Sequence, residues 1–136
     1  MSGRIFLDTN VLVYAYATFE PAKKAQALAV SNAGERWIST QVLIEFINVS
    51  HRKLKLAWPD VQITLIELLD NHRVLQTSAA TIAHATRLAD RYGFSWFNAL
   101  IVAAALECGC ETLYSEDLQH GQLIESSLRV VNPFLP

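Results

Sequence analysis

Three carboxylates stand where chemistry can be organised. Asp8 ends the run Arg4-Ile5-Phe6-Leu7, Glu45 lies between Ile44 and Phe46, and Asp117 follows Leu113-Tyr114-Ser115-Glu116. An apolar run without alternation is the mark of a strand buried on both faces, and such strands are central in parallel sheets. Asp8 is therefore expected at the carboxyl end of a central strand, where open α/β sheets bind their ligands. Asp117 falls just past a second short apolar run, and the apolar neighbours of Glu45 predict that it is partly buried. An isolated carboxylate out of water is costly. Acids that converge on one crevice call for a cation between them. A hard divalent ion such as Mg²⁺ takes oxygen ligands of this kind and keeps waters of its own. It activates water and neutralises a phosphoryl oxygen during in-line displacement. Taken singly, each acid reads equally well as a helix cap or a surface charge; the set is what points to a metal-dependent site.

The elements that must position these acids alternate along the chain. After the first strand, Val11 to Tyr16 is a short helix, and Pro21 to Asn32 an alanine-rich one that stops at Gly34. Trp37-Ile38-Ser39 is a second strand, with Ser39 or Thr40 to cap a helix from Gln41 to about Lys53. That helix carries Leu43, Phe46 and Ile47 on one side, with Glu45 among them. Pro59-Asp60 opens another helix, proline being welcome in a first turn. Its inner stripe is Val61, Leu65, Leu68 and Leu69. Ile63 and Ile66 fall off this stripe and suggest a second buried face, and with it a dimer contact. Arg73-Val74-Leu75-Gln76 is a third strand, followed by a helix from Ala79 to Tyr92 that stops at Gly93. The helix from Trp96 to Glu107 is apolar on every side between Ala99 and Leu106, so it is buried, and Gly109 ends it. Thr112-Leu113-Tyr114-Ser115 and Arg129-Val130-Val131 are the fourth and fifth strands. Strands spaced by helices predict an α/β fold, a three-layer α/β/α sandwich around a central parallel five-stranded sheet. No repeat or linker interrupts it, which makes residues 1–136 a single expected domain.

Composition narrows the function classes. Hydrophobic residues make up 51% and charged residues 18%, the balance of a globular chain and not a disordered one. No apolar run approaches the ~18 residues of a membrane span, and no basic-then-apolar leader opens the chain; a cytoplasmic protein is the expectation. Cys108 and Cys110 flank one glycine, which suits ordinary thiols better than a metal knuckle or a disulfide framework. The net charge of −2 excludes a broad polyanion-binding surface, so any nucleic acid must be met by a local patch or a bound cation. The densest basic run is His51-Arg52-Lys53-Leu54-Lys55; cations suit a helix carboxyl end, and phosphate contact is the second reading. Trp96 and Phe97 are expected in the core before they are expected to stack on a base. His51, His72, His84 and His120 show no ligand spacing and are expected on solvated surface.

Four stretches in order resemble a known family. Ile5-Phe6-Leu7-Asp8-Thr9-Asn10-Val11-Leu12, Glu45 in its apolar helix, Phe94 through Ala105, and Leu113-Tyr114-Ser115-Glu116-Asp117 are similar to the ordered motifs of PIN-domain nucleases. Within that family the chain looks most like the VapC toxins of bacterial toxin–antitoxin pairs. The resemblance runs over essentially the whole chain, to Val130-Val131-Asn132-Pro133-Phe134. It implies a Mg²⁺- or Mn²⁺-dependent site that hydrolyses RNA, a homodimer, and an antitoxin that plugs the groove. The family's catalytic and metal-holding positions fall on Asp8, Glu45, Asn98 and Asp117, with Ser115, and at one further remove Thr9, as polar support.

One position departs from that pattern. Asn98 stands where the family places an acid, keeping the shape and one acceptor oxygen but removing a full negative charge. Either Asn98 is natural and marks a weakened member, or it is a deliberate Asp→Asn change that lets a host tolerate a toxic nuclease; the second is favoured. Both predict an attenuated or inactive enzyme with an intact fold. The rival readings are weaker. A haloacid-dehalogenase-like phosphatase would want a second aspartate at Asn10 and a lysine after Lys55, and a receiver-like switch an aspartate after Val74-Leu75. The alternative that survives is a non-catalytic PIN-type scaffold that binds RNA or a protein partner, and cation binding separates it from a nuclease.

Overall fold

The computed structural model describes residues 3–17 and 20–136. Along these residues the chain runs β1 (Arg4–Leu7), α1 (Thr9–Tyr16), α2 (Pro21–Ser31), β2 (Glu35–Ser39), α3 (Thr40–Arg52), α4 (Trp58–Asn71) and β3 (Arg73–Leu75). It continues through α5 (Ala79–Tyr92), α6 (Trp96–Glu107), β4 (Thr112–Tyr114), β5 (Leu123–Ile124) and β6 (Leu128–Val131). The sheet order is β3-β2-β1-β4-β6-β5. Every pairing is parallel except β5 with β6. From β1 to β3 the chain moves one way across the sheet, and from β3 to β4 it moves back. Right-handed crossovers then place α1 to α4 on one face and α5 with α6 on the other. The packing agrees: α1 lies against α2 and α3, α3 against α4, and α5 against α6. This is the expected three-layer α/β/α sandwich.

The strands form where the unbroken apolar runs require it. Ile5, Phe6 and Leu7 of β1 are buried, as are Ile38 of β2, Leu113 of β4 and Val130 of β6. Each such side chain contributes about 1.5–3 kcal/mol by leaving water. Helix α6 is buried from Ala99 through Ala105, and its alanines let neighbouring backbones approach closely. Local polar signals set the helix starts: Ser39 accepts from the Val42 amide, and Ser78 and Thr81 form a capping box. Gly93 ends α5 at φ 74, a left-handed geometry that costs glycine nothing.

Several expectations need correction. The sheet has a sixth strand, β5, which joins β6 through a turn with Glu125 at φ 51 and Ser126 at φ 59. Such turns usually use glycine or asparagine, so residues of this kind give no warning of a hairpin. Leu69 is not on the inner face of α4: it is exposed, while Val61 and Leu68 are buried. The buried line of α3 is Val42, Phe46 and Ser50, with Leu43 and Ile47 half-buried beside it. Trp96 and Phe97 are not core residues; both are exposed in the first turn of α6. His51 and His72 are half-buried instead of solvated, with Nδ1 at 3.0 Å from the Leu56 carbonyl and 2.9 Å from the Leu68 carbonyl respectively. Cys108 and Cys110 are free thiols, both buried.

Candidate active site

The site is built by the register of β1 against β4. Leu7 pairs with Tyr114, and the Asp8 amide donates to the Tyr114 carbonyl at 3.0 Å. The residues that follow each strand, Asp8 and Ser115, are thereby neighbours although 107 positions separate them. This is the point where the strand order reverses on either side of β1, the place where a crevice opens at the carboxyl edge of a parallel sheet. Asp8 also starts α1 and accepts from the Thr9 amide at 2.7 Å.

A chain of neutral donors holds the acids. Ser115 Oγ donates to Asp8 Oδ2 at 2.7 Å, and the Asp117 amide donates to Ser115 Oγ at 3.1 Å. Thr9 Oγ1 donates to Glu45 Oε1 at 2.6 Å, and Asn10 Nδ2 donates to Asp117 Oδ2 at 3.4 Å. Both oxygens of Asp8 are thus bonded, as a carboxylate only 6% exposed requires. Its pKa is nonetheless pushed up to about 6. Burial is the main cause, and the charges of Asp117 and Glu45 add to it against the lowering bonds from Ser115 and Thr9. Asp117 is raised as well, by burial and then by the charge of Glu116.

Asp8, Glu45, Asn98 and Asp117 line one cavity of 310 Å³. Four of the five expected site residues therefore share a wall, and the fifth, Ser115, lies fully buried behind it and bonds to Asp8. Asn98 sits in the first turn of α6, its amide held by Ser95 Oγ at 3.4 Å. No histidine lines this cavity. Asn10 and Asn48 do line it and went unnoticed as site residues. Asn48 had a signal, since it lies three positions after Glu45 and so shares its side of α3.

The donor set suits a hard cation. Three carboxylates and three side-chain amides face one space, and Asp8 among them is held above its ordinary pKa by burial first and by the charges of Asp117 and Glu45 after it. Among the described residues, no three carboxylate, imidazole or thiol groups stand close enough to ligate one ion directly. Mg²⁺ does not need that many, because it is commonly held by one or two carboxylates and its own waters.

A search of curated proteins gives no match. Solved structures do match. A toxin–antitoxin complex from Klebsiella pneumoniae aligns with TM-score 0.72 at 22% identity, over 96% of this chain and 98% of that one. VapC20 of Mycobacterium tuberculosis, a sarcin–ricin-loop-cleaving toxin, aligns with TM-score 0.67 at 22% identity, over 82% and 88%. DNA-bound VapBC from Salmonella typhimurium aligns with TM-score 0.64 at 17% identity, over 96% and 97%. At such identities the likeness is one of fold. The PIN domain family model matches residues 5–123, a span that holds β1 from Ile5 onward, the acid of α3, the start of α6 and the loop after β4, and the chain belongs to the PIN domain family.

Proposed function

We propose that this chain is a Mg²⁺- or Mn²⁺-dependent endoribonuclease, a single PIN domain over residues 1–136, and the toxin of a cytoplasmic toxin–antitoxin pair. The observation that carries the reading is Asp8: a nearly inaccessible carboxylate, aimed with Asp117 and Glu45 at one cavity and held well above its ordinary pKa. Such an arrangement is costly unless a cation completes it. Family membership and the toxin neighbours support the same reading.

Asp8 and Asp117 are the acids linked through Ser115, and with Glu45 and the Asn98 amide oxygen they would hold the ion. The bound cation supplies an activated water and neutralises charge on the phosphoryl oxygen. Ser115 fixes the carboxylate of Asp8 and, through the Asp117 amide, the loop after β4. Thr9 fixes Glu45. Asn98 brings shape without charge, which attenuates the site. The antitoxin would fill the same groove, and a homodimer would cover Ile63 and Ile66, which are 58% and 60% exposed on α4. Asn98 also keeps the scaffold reading alive, in which RNA or a partner is bound without cutting.

Cleavage of bulk RNA with Mg²⁺ or Mn²⁺ tests the reading. Asn98→Asp is expected to raise activity on the order of 10²-fold, and adding Asp8→Ala to remove it. Equal cleavage by the chain and by Asn98→Asp would make the missing carboxylate dispensable. Failure of both to cut, with no cation binding by calorimetry, leaves the scaffold.

A further inference from the structure

A second hollow adjoins the acid cavity. Asn10 and Val49 line both, and the second, of 570 Å³, is completed by Val13, Tyr14, Lys53 and Leu54. Lys53 is exposed and forms no ion pair with a described residue. The other basic residues of its run lie elsewhere: His51, Arg52 and Lys55 line a separate hollow that shares no residue with the acid cavity. Phe97 also lines the acid cavity, yet it is 63% exposed. Its backbone is held there by Gln41, whose Nε2 donates to the Phe97 carbonyl at 3.3 Å, and by the Ser95 cap of α6. A bare aromatic ring thus lines the acid cavity, and a cation without an ion pair among the described residues lines the hollow that shares Asn10 and Val49 with it.

We propose that a single RNA strand is seated across the acid cavity by two residues, Phe97 stacking an unpaired base and Lys53 taking a backbone phosphate in the adjoining hollow. This rests on the nuclease reading above. The chain carries net charge −2 and its cavity gathers carboxylates, so no broad basic field draws the polyanion in. A few local contacts must do so. Stacking suits that task because every base has a π-face, and it requires a base that is not already paired in a duplex. Lys53 supplies the countercharge where the strand leaves the acids. The two contacts differ in kind: stacking is insensitive to salt, and a phosphate contact is not.

Fluorescence anisotropy with a labelled, mixed-sequence oligoribonucleotide separates them. The full chain is used with Ca²⁺ in place of Mg²⁺, so that binding is read without cutting. Phe97→Ala is expected to weaken single-strand binding on the order of 10-fold or more with the salt slope unchanged, and Phe97→Tyr to restore it. Lys53→Ala is expected to flatten the slope of log K against log salt by about 0.7, and Lys53→Arg to restore it. Arg52→Ala is expected to leave both quantities alone, and the matching duplex to bind more weakly than the single strand. Unchanged RNA binding by Phe97→Ala and Lys53→Ala overturns the proposal and leaves the hollow to a protein partner, while cleavage by Asn98→Asp keeps the nuclease reading. An effect of Arg52→Ala equal to that of Lys53→Ala overturns the route. If the chain binds no single strand and Asn98→Asp cuts no RNA, both readings fall together.

Discussion

The two ends of the sheet treat charge in opposite ways. At the amino end, Glu35 lies between two cations, with Arg4 Nε at 3.1 Å and Arg73 on its other oxygen. All three side chains reach water, and every charge has an opposite beside it. At the carboxyl end, Asp8, Glu45 and Asp117 are gathered on one cavity, and their hydrogen-bond partners are neutral: Ser115, Thr9, Asn10 and backbone amides. Exposed ion pairs of the first kind contribute little, about 0–1 kcal/mol. Uncompensated acids of the second kind cost stability, which the surrounding core must offset. An end that satisfies itself has no need of a ligand. The other end has its hydrogen bonds made and its charge left without an opposite among those partners.

The largest expected effect on stability is at the bridge between strands. Ser115→Ala removes the donor to Asp8 Oδ2, a buried bond, and the acceptor for the Asp117 amide, a part-buried one. A loss of about 2–3 kcal/mol is expected in urea denaturation. A loss under about 0.5 kcal/mol, the range of an ordinary surface change, would mean that water replaces the serine and the site is wetter than its burial implies.

Asp8→Asn comes next, with the opposite sign. Carrying Asp8 from its ordinary 3.8 to about 6 costs the fold about 3 kcal/mol at neutral pH. The amide removes that charge but loses one of two bonds, about 1 kcal/mol; the net expectation is a gain of about 1–2 kcal/mol, with cleavage abolished in the Asn98→Asp background. The pH dependence follows. Between pH 3.8 and about 6 the folded state binds more protons than the unfolded state, so stability falls as pH rises through that window and stays low above it. A stability–pH profile is expected to show this decline in the parent and not in Asp8→Asn. Millimolar Mg²⁺ at neutral pH is expected to raise the Tm of the parent alone. A parallel rise in both proteins would place the ion elsewhere.

Glu35→Gln is the smallest change. It breaks the amino-end pairs and is expected to cost under about 1 kcal/mol, less in high salt, with cleavage by the Asn98→Asp background unaltered. A larger cost would show that the two ends are not so different.

Much of the fold was legible because burial writes itself into local pattern. The unbroken run before Asp8 is a central strand, and the apolar circumference of α6 is a buried helix. Where pattern failed, the reason lay in contacts that no local window holds. Strand β5 is two residues long, and its turn uses Glu125 and Ser126 in a backbone region that favours other residues. Leu69 and Phe97 have the chemistry of core residues yet face outward, because no described residue covers that side of α4 or the first turn of α6. The acids were visible one by one, while Asn48, equally part of the cavity, is marked in the sequence only by its place three positions after Glu45.

By itself the amino-acid sequence determined which charges lie at the ends of which apolar runs, since hydrophobic burial places strand ends without reference to distant residues. It also determined that the position at the start of α6 is an amide and not an acid. Only the tertiary structure decided that Ser115 reaches Asp8, that Thr9 holds Glu45, and that Lys53 parts company with Arg52. Those choices depend on the register of β1 with β4 and on how α1 and α3 meet. A hydrogen bond of 2.7 Å exists or not according to that register.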